Sequence, residues 1–256
     1  METLNVSQEG RVARVTLNRP DVRNAFNDQV VTELTQVFRE MTADVQVVVL
    51  EGVGKSFCAG ADLNWMKKSA TYTEAQNAED ARAMLGLFDT IDSFAGVVVG
   101  RVHGAALGGG VGLVSCCDIV VATERAKFGL TEVRLGIVPA VISPFVVAKI
   151  GVNHARRYFV TGEIFDAQAA CEIGLVSEVV ADDEALDKKV NELVTAIAAN
   201  GPIAVKESKK LITEVTTRPR ADAFDYAVNT IARLRVSEEG QEGLSAFLEK
   251  RKPGWQ

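Results

Sequence analysis

The sequence predicts an α/β core with a helical C-terminal extension, on three observations. Two apolar, β-branched runs, residues 45–50 and 97–102, each end in a turn of small residues and lead into a helical pattern. Strand–turn–helix units in series require parallel pairing with helical crossovers. From Asp182 onward the pattern changes to long helices separated by Pro202 and Pro219. The core is therefore set at residues 1–195 and a helical assembly region at 196–256.

Residues 4–9 and 11–18 alternate, with Val12, Val15 and Leu17 among the apolar positions, and Gly10 punctuates them as a β-hairpin. Arg19-Pro20-Asp21 breaks the second strand. Asn27 or Asp28 then caps a helix in which Val30, Val31, Leu34, Val37, Phe38 and Met41 approximate helical spacing. The run 45–50 is apolar apart from Gln46, which suits a strand buried on both faces. It ends in Glu51-Gly52-Val53-Gly54-Lys55-Ser56, and Phe57-Cys58-Ala59-Gly60-Ala61-Asp62-Leu63 follows. Residues 74–94 read as a helix and 97–102 as the next buried strand.

That strand feeds the turn Gly108-Gly109-Gly110 and a short apolar helix. Backbone N–H groups at such a turn lack intrahelical partners, and the helix dipole adds partial positive charge. Glycines also let a ligand approach the main chain. Residues 118–122 make another strand, 126–129 a short extended piece, 153–161 a helix, and 175–180 a last strand, with Asp166 capping a further helix.

Composition narrows the function. Hydrophobic content of 47% with 24% charged residues is globular. No apolar run approaches the roughly 20 residues that span a bilayer. The N-terminal residues lack the pattern of a signal or transit peptide, so a cytoplasmic location is expected. A net charge of −6 opposes a nucleic-acid or anionic-membrane role. The cysteines, Cys58, Cys116, Cys117 and Cys171, form no Cys-x-x-Cys pair and are expected as reduced, mostly buried thiols. With two histidines in the chain, no metal site is expected.

The glycine cluster fits neither a Walker A loop nor a full G-x-G-x-x-G, since Leu113 stands where the third glycine belongs. Two readings remain for it: close helix–strand packing, or, paired with the turn at Ala61, two N–H donors aimed at one oxygen. No G-x-S-x-G elbow exists, and His103, at the end of a buried strand, reads as structural. Glu132 lies in a loop with Arg134 close behind. It is a solvated side chain unless that loop folds over the glycine turn, where a carboxylate would do acid–base work beside a carbonyl.

Ser56-Phe57-Cys58-Ala59-Gly60-Ala61-Asp62-Leu63, His103-Gly104 through Gly110, Cys117-Asp118, Phe128-Gly129-Leu130-Thr131-Glu132 and Leu135-Gly136-Ile137-Val138-Pro139 together resemble the enoyl-CoA hydratase (crotonase) family. The likeness extends over nearly the whole chain. Asp62-Leu63-Asn64-Trp65-Met66, Ser115-Cys116-Cys117-Asp118, Ala140-Val141-Ile142-Ser143-Pro144-Phe145 and the ending Lys252-Pro253-Gly254-Trp255-Gln256 are similar to the bacterial 3-methylglutaconyl-CoA hydratase branch.

The resemblance implies a spiral of ββα units with a C-terminal helical trimerisation region, assembled as a homotrimer or a hexamer. It implies a coenzyme A thioester as substrate and no separate cofactor. The family's oxyanion-hole amides map onto Ala61 and Gly109, and its adenine-binding backbone onto Ala59, Gly60, Ala61, Asp62 and Leu63. Arg23 and Ala25 fall in the segment that lines the CoA entrance, and Lys250 or Lys252 in one that reaches a neighbour's 3′-phosphate. Trp65, Met66, Gly112 and Val141 are expected to line the acyl pocket.

One departure stands out. Family hydratases carry two glutamates; here the first position is Gly112 and the second is Glu132. Glu132 is thus the carboxylate expected to move the α-proton. The 3-hydroxyl would then be protonated by Glu132 itself, or by a water in the space left at Gly112. The implied reaction is reversible hydration between 3-methylglutaconyl-CoA and 3-hydroxy-3-methylglutaryl-CoA. An isomerase using Glu132 alone, and a non-catalytic acyl-CoA- or RNA-binding protein, are the competing readings.

Overall fold

The computed structural model describes every residue from Met1 to Gln256. β1 (Leu4–Glu9) and β2 (Val12–Leu17) form the antiparallel hairpin, with Leu4 opposite Leu17. α1 (Asp28–Glu40) is capped by Asn27, whose side chain accepts from the Val30 N–H at 2.9 Å. β3 (Val47–Gly52) is buried on both faces as its composition demands: Val47, Val48, Val49 and Leu50 are inaccessible to solvent. α2 (Leu63–Ser69) and α3 (Glu74–Asp92) follow, α3 opening on a capping box between Thr73 and Gln76.

β4 (Val97–Val102) turns at Gly104 directly into β5 (Ala105–Leu107), and α4 (Gly109–Ser115) leads back to β6 (Ile119–Thr123). β7 (Lys127–Gly129) and a 3₁₀ turn (Glu132–Leu135) precede α5 (Ser143–Thr161). This helix begins ten residues before the segment 153–161 that the sequence marks. Pro144 sits within its first turn, where proline is tolerated, and Gly151, at φ +74°, kinks it without ending it. β8 (Ile164–Asp166), α6 (Ala167–Glu172, capped by Asp166) and β9 (Glu178–Val180) complete the core.

β1-β2-β3-β4-β6-β9 form one sheet, parallel beyond the hairpin, and β5-β7-β8 a second. Successive repeats add a strand to the first sheet, then a short strand to the second, and return through a helix. That is the spiral of ββα units, and the mixed α/β expectation holds.

α7 (Asp183–Ala198) packs Leu186, Val190 and Val194 against Val47, Val49, Val99 and Val121 on the outer face of the large sheet. The boundary between residues 195 and 196 therefore falls inside a helix that belongs to the core. α7 ends at Ala198, and Gly201 and Pro202 mark the break before α8 (Pro202–Thr217). α9 (Arg220–Arg235) and α10 (Glu238–Glu249) follow. These last helices bury little: α8 buries no side chain, whereas Phe247 and Leu248 are 80% and 78% exposed. No helix is long and apolar enough to cross a membrane.

Candidate active site

The register of the second sheet builds the site. Cys58 and Ala106 pair as a parallel bridge, the Cys58 N–H donating to Ala105 and the Leu107 N–H donating to Cys58, both at 3.0 Å. Three residues further along each segment stand Ala61 and Gly109. β5 in turn pairs Leu107 with Gly129, and the Gly108 N–H donates to the Gly129 carbonyl at 2.9 Å. Three residues beyond Gly129 comes Glu132. Neighbouring turns of the spiral thus deliver two backbone amides and one carboxylate to one end of the sheet.

Both amides are free: neither the Ala61 nor the Gly109 N–H donates to a carbonyl of the chain. Both residues line a cavity of about 690 Å³ together with Glu132. Gly109 opens α4, so the helix adds its dipole to the same point. The glycine turn is tight for reasons of contact. A Cβ on Gly109 would stand 2.9 Å from the Phe26 ring, and one on Gly110 would overlap the Cys58 carbonyl oxygen. Gly108, at φ +50°, lies so close to Glu132 that a Cβ would be 3.0 Å from Oε1.

Glu132 is half-buried, and its Oε2 is enclosed without a hydrogen-bond partner. Burial pushes its pKa above the ordinary glutamate value, opposed only by its own backbone N–H. The loop does fold over the turn, and Glu132 is not the solvated side chain of the alternative reading. An acid with a raised pKa beside two unpaired donors is equipped to exchange a proton with a carbon next to a carbonyl.

The segment bearing Ala61 is held from behind. Asp62 caps α2 through the Asn64 N–H at 2.8 Å and pairs with Arg19 at 2.8 Å. Burial alone would raise the Asp62 carboxyl; the Arg19 guanidinium and the α2 amides more than reverse this and hold it below its usual range. Arg19 also donates to the Ala25 carbonyl at 2.6 Å, and the Ala59 N–H donates to the Arg23 carbonyl at 3.0 Å. Buried Asn24 ties this corner to residues 53 and 56 through its side-chain amide, at 2.9 and 2.8 Å.

Of the residues singled out in the sequence, Ala59, Gly60, Ala61, Gly109, Glu132, Trp65, Met66 and Val141 line the cavity. Arg23, Ala25, Asp62 and Leu63 lie behind or beside it, with Leu63 74% exposed. Lys250, in the left-handed region at the end of α10, does not line it in this chain. His103 is structural: it is buried, with Nε2 2.9 Å from the Gly54 carbonyl, an arrangement that requires the proton on Nε2.

Gly112 is a correction. It does not line the cavity, and its missing side chain leaves no room for a water or a C3 substituent. A Cβ there would overlap Ile142 Cγ2 and stand 2.8 Å from the Phe88 ring, so the space is filled by core. Gly112→Ala is expected to destabilise the fold by about 1–3 kcal/mol through overpacking. Adding Ile142→Ala should return part of that loss in a denaturant-unfolding measurement.

The model of the enoyl-CoA hydratase/isomerase family matches residues 7–256. The chain belongs to that family. It is 34% identical over 256 residues to the 2,3-dehydroadipyl-CoA hydratase of Escherichia coli, covering 99% of this chain and 98% of that one. It is 34% identical over 260 residues to the short-chain-enoyl-CoA hydratase of Clostridium acetobutylicum, covering 98% and 97%. An enoyl-CoA hydratase crystal structure from Shewanella pealeana superposes with a TM-score of 0.94 at 41% identity, over 99% of this chain and 96% of that one. As a family member the chain is an enzyme of the enoyl-CoA hydratase type acting on acyl-CoA thioesters, and the enzymatic reading stands over the binding-protein ones.

Sequence reasoning missed Arg19, Phe26 and, inside the cavity, Asn77, Asp80 and Met84 of α3. The signal for the last three was available as a spacing of three and four along one helix face. The basic side chains of the neighbouring segments, Lys67, Lys68, Arg82 and Arg134, do not line the cavity.

Proposed function

We propose that the chain catalyses the reversible hydration of a C3-branched enoyl-CoA, 3-methylglutaconyl-CoA being converted to 3-hydroxy-3-methylglutaryl-CoA and back. The observation that carries the hydratase reading is the pair of free amides at Ala61 and Gly109 with the buried Glu132 carboxyl in the same cavity. As water's oxygen bonds to C3, the C2=C3 electron pair moves to form an enolate. Its oxygen is held by the two amides, and protonated Glu132 delivers a proton to C2. Donors pre-aimed at developing charge in a half-closed cavity account for most of the rate.

The branched, dicarboxylic acyl group is supported by the resemblance of residues 62–66, 115–118 and 140–145 to one branch of the family. It is also supported by a relative whose name gives it a dicarboxylic enoyl-CoA, 2,3-dehydroadipyl-CoA. No basic side chain lines the cavity, so this reading gives the distal carboxylate no ion pair. The reaction draws on no cofactor beyond the thioester itself.

The deciding experiment is a panel of enoyl-CoA thioesters followed by mass spectrometry in deuterated water. Gain of one water by 3-methylglutaconyl-CoA is the expected result. Hydration of straight-chain crotonyl-CoA without turnover of the branched substrate would overturn the choice of acyl group. A shift of the double bond without gain of water would replace hydration by isomerisation, which Glu132 alone can perform.

The same reading includes a homotrimer or hexamer, supported by the apolar surface that α8, α9 and α10 leave open at Ile212, Phe224, Val228, Ile231, Phe247 and Leu248. Large apolar side chains left exposed on three successive helices suit a contact with further copies of the chain. Sedimentation should give a mass of three or six chains, and Phe247→Asp with Leu248→Asp should lower it.

A further inference from the structure

We propose that Asp80, reaching the cavity from α3, is the second acid–base residue of the hydration and moves the proton of the attacking water. The inference rests on the hydratase reading, because isomerisation needs no second acid.

Water addition leaves a proton on the new C3 oxygen that has to go somewhere, and the position two residues past Gly110 has no side chain to take it. Nor does a water sit there, since Ile142 and Phe88 fill the space. The cavity that contains Glu132 has one other ionisable side chain in its wall, Asp80. Asn77, Asp80 and Met84 all line the cavity, which fixes the face that α3 turns toward it.

Asp80 is half-buried and has no ion pair committing it elsewhere. Lys68 on α2, the cation that acts on it, is bound to Asp28 of α1 at 3.2 Å. The remaining polar neighbour is the indole N–H of Trp65, a donor buried without a hydrogen-bond partner in the same wall. Burial, the largest influence, holds the Asp80 carboxyl above its usual range; the nearby indole N–H and Lys68 oppose the rise and Asp28 adds to it. A carboxyl in the cavity wall that is free of any ion pair takes and returns a proton more readily than one locked in such a pair.

In the hydration direction, ionised Asp80 accepts one proton from water while the oxygen bonds to C3 and the C2=C3 pair moves toward the thioester. Protonated Glu132 then gives its proton to C2. The sum is enoyl-CoA plus water giving 3-hydroxyacyl-CoA, with Asp80 left protonated and Glu132 ionised. Proton exchange with solvent resets the pair. Dehydration runs the same steps backward: Glu132 takes the α-proton, and protonated Asp80 gives its proton to the departing hydroxyl.

The test separates the two carboxyls by reaction. Exchange of the α-proton of a saturated acyl-CoA in deuterated water needs the amides and Glu132 alone; hydration needs Asp80 as well. Asp80→Asn is expected to lower hydration kcat by about 100-fold or more, with KM little changed and α-proton exchange retained. It should also remove one limb of the hydration pH profile. Asp80→Ala with added formate should regain part of the lost kcat.

Wild-type hydration by Asp80→Asn would overturn the assignment, as would a rise in KM with kcat intact, which marks a binding residue. Equal loss of hydration and exchange, or no response of Asp80→Ala to formate, would also overturn it. The enoyl-CoA used is whichever one the wild-type chain hydrates. A wild type that isomerises without hydrating fails the underlying reading, whereas a hydrating wild type with an unaffected Asp80→Asn fails this inference alone.

Discussion

Glu132→Gln is expected to lower kcat for hydration by about 10²–10⁴ while leaving the affinity for acyl-CoA nearly unchanged. Gln keeps the volume of the side chain beside Gly108, so the loss reports the missing proton and not a collapsed wall. The pH dependence has a definite sign. Dehydration begins with an ionised Glu132, and burial raises the pKa of that group. The acidic limb of the dehydration profile should therefore lie at higher pH than an exposed glutamate would give. Hydration, which starts from the protonated form, should decline as pH rises through the same value. Steady-state rates in both directions, with unfolding curves as a control, check this. A Glu132→Gln enzyme with wild-type turnover would remove the residue from the mechanism.

Ala61→Pro should lower kcat by about 10²–10³, the usual consequence of removing one oxyanion donor. Proline deletes the N–H and leaves the carbonyl, and no carbonyl of the chain depends on that N–H. The neighbouring bonds from Phe26 to Gly60 and from Asp62 to Phe26 use other atoms, so the segment keeps its ties to Phe26. Ala61→Gly, which retains the donor, is the matched control and should stay close to wild type. Equal turnover by the two variants would mean that the enolate oxygen is held elsewhere.

Much of this architecture was legible in the residues. The run 45–50 announces a two-sided strand because every position but Gln46 is apolar, and Val47 and Val49 do meet α7 while Val48 and Leu50 meet the main core. Asp166 and the hairpin around Gly10 declare themselves through capping and turn chemistry. The first half of α5 was hidden, since Pro144 and Gly151 imitate boundaries where the chain starts and kinks a helix. The end of the core was hidden too, because α7 is amphipathic like the helices after it, and only its partner surface tells them apart.

At the site, the same distinction applies. The glycine turn and Glu132 carry visible chemistry, and the resemblance linked them. What Gly112 faces depends on Ile142 and Phe88, which are 30 and 24 residues away in the chain, so no local pattern could separate an empty space from a packed one. In the sequence Asp80 is one of several acidic residues between Glu74 and Asp92. Its significance depends on which face α3 turns inward, a property set by tertiary packing and not by propensity.

The bridge between Cys58 and Ala106 has a consequence for how the chain can vary. The donors at Ala61 and Gly109 are main-chain atoms, set by counting three residues from that bridge along each segment. Many substitutions would preserve them, whereas the insertion or deletion of a single residue within 58–61 or 106–109 would carry an amide past the substrate oxygen. In the proposed mechanism, half of the catalytic apparatus is thus written in segment length and not in residue identity. A deletion scan of these two stretches should reveal a narrow zone of intolerance that a side-chain scan of the same positions would not.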